Sequence, residues 1–264
     1  IILDDSTAAS MRQMFASETP YHVALFAECT AICESSCISS TKVMQRMSPI
    51  IDLSNIDAIL LDMDGTLLDL HYDNHFWLHH LPQRYGQLVN IPHDQAKHKL
   101  DKAYETLSGK LDWYCLDYWQ QFLGIDIIKL KREVAHLIGI HPGVERFLQL
   151  MRDQEKKLYI LTNAHQGSLD LKLEYTGIEK YFDGLISSHD YGAPKEEQAF
   201  WQQFFRRHPQ LSKERCLFID DNQHVLDSAH QFGVGHLLAI SQPDSQRPQN
   251  TIQRHSSVAS FAQL

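Results

Sequence analysis

Asp62-Met63-Asp64-Gly65-Thr66 sets two carboxylates two residues apart, directly after the apolar run Ala58 to Leu61. Residues two apart share one face of an extended chain, so both carboxylates point into one crevice. Two acids that close repel, and a cation between or beside them relieves the repulsion. Gly65 lets the backbone turn and present its N–H groups. The alternative is an acidic surface turn. A buried strand feeding straight into this string argues against it.

Three further strings stand out, two of which end apolar runs in the same way. Leu161-Thr162-Asn163-Ala164 offers a hydroxyl able to donate to a phosphoryl oxygen, although Thr and Asn also commonly cap helices. Gly192-Ala193-Pro194-Lys195-Glu196 offers a cation. The plain reading of Lys195 is a solvated side chain in the first turn of a helix, where the helix dipole slightly disfavours it. Phe218-Ile219-Asp220-Asp221-Asn222 again ends an apolar run in paired acids, which suit a hard, oxygen-seeking cation such as Mg²⁺.

The elements that must position these residues can be read from periodicity. Short continuous apolar runs at Ala58–Leu61, Leu158–Leu161, Leu185–Ile186, Cys216–Ile219 and His236–Ile240 predict buried parallel strands. Helical spacing lies between the later ones: Val144, Phe147, Leu148 and Met151; Leu169 and Leu173, closed by Gly177; Phe200, Trp201, Phe204 and Phe205; Val225, Ala229 and Phe232, closed by Gly233. Strands alternating with helices predict an α/β fold with a Rossmann-like, doubly wound parallel sheet. Its ligands bind at the carboxyl ends of the strands, where these strings fall.

The interval between the first and second strands is far longer than a usual crossover. It carries helical stripes at Leu100, Ala103, Tyr104 and Leu107, then at Trp113, Leu116, Trp119 and Leu123, then at Ile127, Leu130, Val134 and Leu137. Residues 71–140 therefore read as an inserted all-helical cap domain, and residues 51–70 with 141–264 as the α/β core domain. Within the insert, Asp73 and Asn74 follow the acidic strand end closely enough to face its cleft. Trp113 shares a helical face with Leu116 and Trp119, while Tyr114 and Tyr118 pair at i, i+4 on another. Such rings can stack a purine, but packing the core of a small helical domain is the simpler role for each. His71, His75 and His79 share helical spacing, and a helix surface is preferred to a zinc site there.

Composition narrows the function. Lys plus Arg is 24 and Asp plus Glu is 33, a formal charge of −9, which disfavours a partner as anionic as a nucleic acid polymer. No apolar stretch approaches a membrane span. The 5 cysteines form no disulfide framework, so reduced thiols and a cytoplasmic setting are expected. Residues 1–50 read as a leader, weakly ordered or non-native. Cys29, Cys33 and Cys37 in it lack the fourth ligand of a usual zinc site, and Met47 is a natural start for the α/β domain.

Together, the four strings resemble those of the haloacid dehalogenase-like phosphohydrolase superfamily. The resemblance implies Asp62 as nucleophile and Asp64 as general acid/base, with Thr162, Asn163 and Lys195 holding the phosphoryl group. It implies a Mg²⁺ site made by the Asp62 carboxylate, the Asp64 carbonyl and Asp220 and Asp221, leaving open which of the last two touches the metal. Many members carry a further acid where this chain has Val225, and the doubled Asp220-Asp221 replaces it. An acid at position 64 fits phosphomonoester hydrolysis, or a mutase using the same steps, because dehalogenation has no alkoxide to protonate. Longer strings, DMDGTLLDL (62–70), LDWYCLDYW (111–119), LTNAH (161–165), LKLEYTG (171–177) and LFIDD (217–221), resemble the bacterial GMP/IMP nucleotidases of that superfamily. They imply a purine nucleoside 5′-monophosphate as substrate. A small sugar phosphate is the alternative substrate, and a non-catalytic binding module is the other alternative.

Overall fold

The computed structural model describes residues 52–264. Cys29, Cys33 and Cys37, and the leader reading of residues 1–50, lie outside the described residues. β1 (Ala58–Leu61) is buried at every position, and a strand covered on both faces must be apolar throughout. β2 (Lys157–Thr162) and β4 (Cys216–Asp220) flank it in parallel. β3 (Gly184–Ser187) extends the sheet beyond β2, and β5 (His236–Ile240) and β6 (Ser257–Val258) extend it beyond β4. The order β3-β2-β1-β4-β5-β6, parallel throughout, is the predicted doubly wound sheet. β6 was not predicted, because two residues are too short to leave a periodicity.

The chain between β1 and β2 is dominated by helices. α1 (His71–His75) passes through a π turn (Phe76–His80) into α2 (Leu81–Val89). α3 (His93–Leu107), the single turn α4 (Leu111–Tyr114), α5 (Leu116–Leu123) and α6 (Ile127–Glu133) follow. Trp77, Tyr104, Trp113 and Trp119 form their aromatic centre, with ring centroids 5.4 Å apart for Trp77 and Trp119 and 5.1 Å for Tyr104 and Trp113. Trp113 thus takes the packing role. The continuous helical spacing expected from Trp113 to Leu123 is broken at Cys115, whose backbone is extended (φ −82°, ψ 108°). The break leaves the Trp113 carbonyl to accept from the Trp119 indole N–H at 2.8 Å. It also separates the predicted Tyr114–Tyr118 pair. Tyr118 instead stacks on Phe122, with centroids 6.0 Å apart.

Four helices cover the sheet. α7 (Val144–Asp153) and α8 (Gln166–Thr176) pack Val144, Phe147, Leu148, Met151, Leu169 and Leu173 against Ile59 and Leu61. α9 (Gln198–Arg207) and α10 (Gln223–Phe232) pack Phe200, Trp201, Phe204, Val225 and Ala229 against Ala58 and Leu60. Alternate residues of β1 thus serve opposite layers. α8 is covered on a second side, where Leu171 and Lys172 are buried and the helix meets α6.

Gly143 (φ 88°) turns the chain from the insert into α7. A Cβ there would lie 2.3 Å from the Ala262 amide nitrogen. Backbone cannot yield as a side chain can. Gly143→Ala is expected to destabilise the protein by at least about 2 kcal/mol, read as a lower urea midpoint at unchanged m.

Candidate active site

The carboxyl ends of β2, β1 and β4 bring the predicted residues together. The Asp62 amide donates to the Ile219 carbonyl at 2.9 Å, so the β1–β4 pairing runs on to the first acid. Asp62 therefore stands beside Asp220, the last residue of β4. The Lys195 ammonium donates to Asp62 Oδ1, and to Asp220 Oδ2 at 2.7 Å. Lys195 is 2 % exposed and lies in the turn before α9, so it is neither solvated nor in the first turn of a helix. The Trp201 indole N–H holds that turn by donating to the Lys195 carbonyl at 2.8 Å. Thr162 ends β2, and its Oγ1 accepts from the Ala164 amide, which leaves its own proton free to donate.

Asp62, Asp220 and Asp221 can each turn one oxygen to within 4.8 Å of the others. Three carboxylates and one ammonium, −3 + 1, leave a formal −2 in a buried place. Burial pushes the Asp62 carboxyl up to about 6, against the pull of Lys195. Burial, then Asp220 and Asp62, push Asp221 well above the usual carboxylate range. Lys195 and the Asn222 amide engage the two Asp220 oxygens. Asp221 has no hydrogen bond of that kind among the described residues beyond its own amide. Gly65 (φ 89°) is required here, since a Cβ would meet Asp221 Oδ2 at 2.7 Å. An excess of hard oxygen donors fits a divalent cation of the Mg²⁺ kind. No other group of His, Cys, Asp and Glu among the described residues is placed to hold a metal. His71, His75 and His79 instead form a row of rings 6.1 and 5.8 Å apart.

Asp64 faces different partners. Lys172 of α8 donates to Asp64 Oδ1 and to Asp73 Oδ2, both at 2.6 Å, and Lys131 of α6 donates to Asp73 Oδ1 at 3.0 Å. Lys131 also sits 4.6 Å from the centre of the Phe76 ring. This quartet is electrically balanced. Burial raises the Asp64 carboxyl to about 6 even beside Lys172. Burial also raises Asp73, but Lys131 and Lys172 overcome it and hold that acid at about 2. Asp73 is thus committed to two lysines rather than open to a base. Asn74 is committed too, donating to Asp244 Oδ2 at 2.6 Å.

A third contact set joins insert and core. The buried Tyr114 hydroxyl donates to Glu196 Oε1 at 2.9 Å. Asn163 Nδ2 donates to Glu196 Oε2 at 2.9 Å, and its Oδ1 accepts from the Lys195 amide at 2.9 Å. Both ends of the Asn163 side chain therefore brace the Lys195 turn. Sequence reasoning missed Lys131, Lys172 and Glu196. A lysine among apolar positions, as beside Leu130 or between Leu171 and Leu173, is the available signal. A cleft of about 620 Å³ along β3, lined by Tyr159, Arg207 and His208 among others, shares no residue with any of these sets.

Asp73→Asn leaves two buried lysines with one carboxylate between them. The expected cost is about 3–5 kcal/mol in chemical denaturation. Asp73 is held below its ordinary 3.8, so its stabilisation is complete above about pH 4 and is lost as pH falls towards 2. That acid-dependent loss should be absent from the variant.

Known proteins share this arrangement of elements. The family model for haloacid dehalogenase-like hydrolases matches residues 56–233. The GMP/IMP nucleotidase YrfG of Escherichia coli (strain K12) is 38% identical over 210 residues, covering 80% of this chain and 94% of that one. A phosphorylated carbohydrates phosphatase of Thermotoga maritima is 20% identical over 197 residues, covering 70% and 85%. The crystal structure of a HAD phosphatase from Thermococcus onnurineus superposes with a TM-score of 0.65 at 20% identity, covering 78% of this chain and 95% of that one. The match to the family model spans β1 and β4, whose ends carry the acids, with β2 and the Lys195 turn between them in sequence, and the chain belongs to the haloacid dehalogenase-like hydrolases.

Proposed function

We propose that the protein is a Mg²⁺-dependent 5′-nucleotidase that cleaves GMP and IMP to nucleoside and phosphate through an aspartyl-phosphate. The observation that carries the chemistry is the Lys195 bridge between Asp62 and Asp220 at the strand ends, with its −2 excess. The 38% identity to a GMP/IMP nucleotidase supports the substrate class. Asp62, the Asp64 carbonyl and Asp221 would hold the cation, with Asp220 beside them under Lys195. Asp221, engaged among the described residues only by its own amide, is the better direct ligand of the two. When bound, the ion supplies positive charge against the phosphoryl oxygens.

The chain's own groups carry the steps. Lys195 and the Thr162 hydroxyl hold the phosphoryl oxygens. An Asp62 oxygen attacks phosphorus, and the bond to the ester oxygen breaks. Asp64 gives its proton to that leaving oxygen, for which a carboxyl raised to about 6 is suited. Asp64 then takes a proton from water as the water attacks phosphorus. Asp62 leaves, and inorganic phosphate is released. Positioning and charge stabilisation do most of the work in such transfers. Residues 71–140 act as a cap on the core of residues 51–70 and 141–264, excluding water from the strand ends. Two of the cysteines, Cys115 and Cys216, are free thiols, in keeping with a cytoplasmic enzyme. Among the described residues, no helix is long and apolar enough to cross a membrane.

Phosphate release is to be measured from GMP, IMP, AMP, UMP, glucose 6-phosphate and an aryl phosphate, each with Mg²⁺ and with a chelator. The expected result is Mg²⁺-dependent release favouring GMP and IMP. A preference for glucose 6-phosphate overturns the nucleotide reading and keeps the chemistry. Asp62→Asn should lower kcat roughly 10³-fold or more while the protein stays folded by circular dichroism. Unchanged release in that variant would remove Asp62 from the role of nucleophile.

A further inference from the structure

Beyond the phosphate end, one pair of side chains is left facing across the seam between insert and core. His165 follows the Thr162-Asn163-Ala164 turn, and its Nδ1 accepts from the Gly167 amide at 3.3 Å. The neutral ring therefore carries its proton on Nε2. That nitrogen points to Asp117 Oδ2 of α5 at 3.5 Å, too long for a strong hydrogen bond. The Asp117 side chain is 82% exposed, so its carboxylate is not committed elsewhere in the way Asp73 is. His189 packs edge-on to His165, with centroids 5.2 Å apart, and its buried Nε2 has no partner. An N–H donor and a carboxylate acceptor thus stand side by side, with an unsatisfied nitrogen next to them.

The pair stands beside the turn that follows β2. Thr162 ends that strand, and the Asn163–Glu196–Tyr114 chain joins the turn to the insert. His165 lies two residues after Asn163, and Asp117 three after Tyr114. A nucleoside monophosphate held by Thr162 and Lys195 at its phosphate has its base to place among the residues of this seam.

We propose that Asp117 and His165 read the lactam edge of a 6-oxopurine, the carboxylate accepting from N1–H and the His165 Nε2–H donating to O6. This rests on the nucleotidase reading above. The polarity of the pair matches that edge donor to acceptor and acceptor to donor. Adenine presents the reverse, a lone pair at N1 and an amino group at C6. It would set a lone pair against the Asp117 carboxylate and an N–H against the His165 N–H. Sites that hydrogen-bond a substrate discriminate strongly, because the wrong partner leaves their polar groups unpaired. The carboxylate is the part of the pair that no conservative change reproduces, since an amide offers N–H groups as well.

The test is the ratio of kcat/KM for GMP to that for AMP, measured in the wild type, Asp117→Ala and Asp117→Asn, with an aryl phosphate as a substrate that has no base. The wild type should favour GMP. Both variants should lose roughly tenfold or more of that ratio, and the GMP to aryl phosphate ratio should fall with it. In Asp117→Asn the amide N–H can meet the adenine N1, so AMP should gain relative to Asp117→Ala. A wild type that favours GMP, with the same GMP to AMP ratio in both variants, overturns this assignment and leaves the nucleotidase reading standing. A wild type that turns over the aryl phosphate but shows no preference for GMP or IMP overturns both.

Discussion

A carboxylate taken out of water at the end of a buried strand needs a cation, and the site is arranged around meeting that need. Asp62 and Asp220 share Lys195, and the three acids around it still exceed their protein cation by two charges. Asp64 and Asp73 share Lys172, and Lys131 completes a balanced set. The two arrangements differ in kind. In the proposed reaction the unbalanced one takes a divalent ion and a phosphoryl group. The balanced one is structural, and it ends on the carboxyl proposed to move the proton. One strand end thus holds two acids in different electrostatic settings, because adjacent acids are given different partners.

The same contacts tie the insert to the sheet. Lys131 and Asp73 belong to the helical segment, while Lys172 belongs to a helix of the core. Tyr114 reaches Glu196, whose other oxygen holds the Asn163 amide, and Asn163 in turn holds the backbone of Lys195. A displacement of the insert is therefore felt at the turn that carries Lys195, through buried polar groups that cannot lose a partner cheaply. The placement of the insert and the order of the turn that carries Lys195 are linked by hydrogen bonds rather than by apolar packing alone.

Much of this was legible in order along the chain. The strands were readable because parallel strands buried on both faces must be continuously apolar, and Ala58–Leu61 and Cys216–Ile219 are. Asp62, Thr162 and Asp220 were readable because they end those runs, and the sheet makes neighbours of residues far apart in sequence. The helical stripes at Val144–Met151 and Phe200–Phe204 were readable from their spacing, which the two faces of the sheet require.

What spacing cannot carry is the partner of each polar group. Asp73 and Asn74 looked open to a ligand by position, yet Lys131, Lys172 and Asp244 occupy them, from segments remote in sequence. Asn163 was read only by its place at a strand end, and its bracing of the Lys195 turn depends on a partner 32 residues away. The Tyr114–Tyr118 pair failed because an indole N–H claimed the carbonyl at a helix break, a tertiary demand that no helical wheel contains. The sequence by itself determined which residues end the strands, since burial of a strand is written in its own apolar run. Only the tertiary structure decided which cation meets which acid, because charge pairing depends on distances between elements that the chain order leaves free.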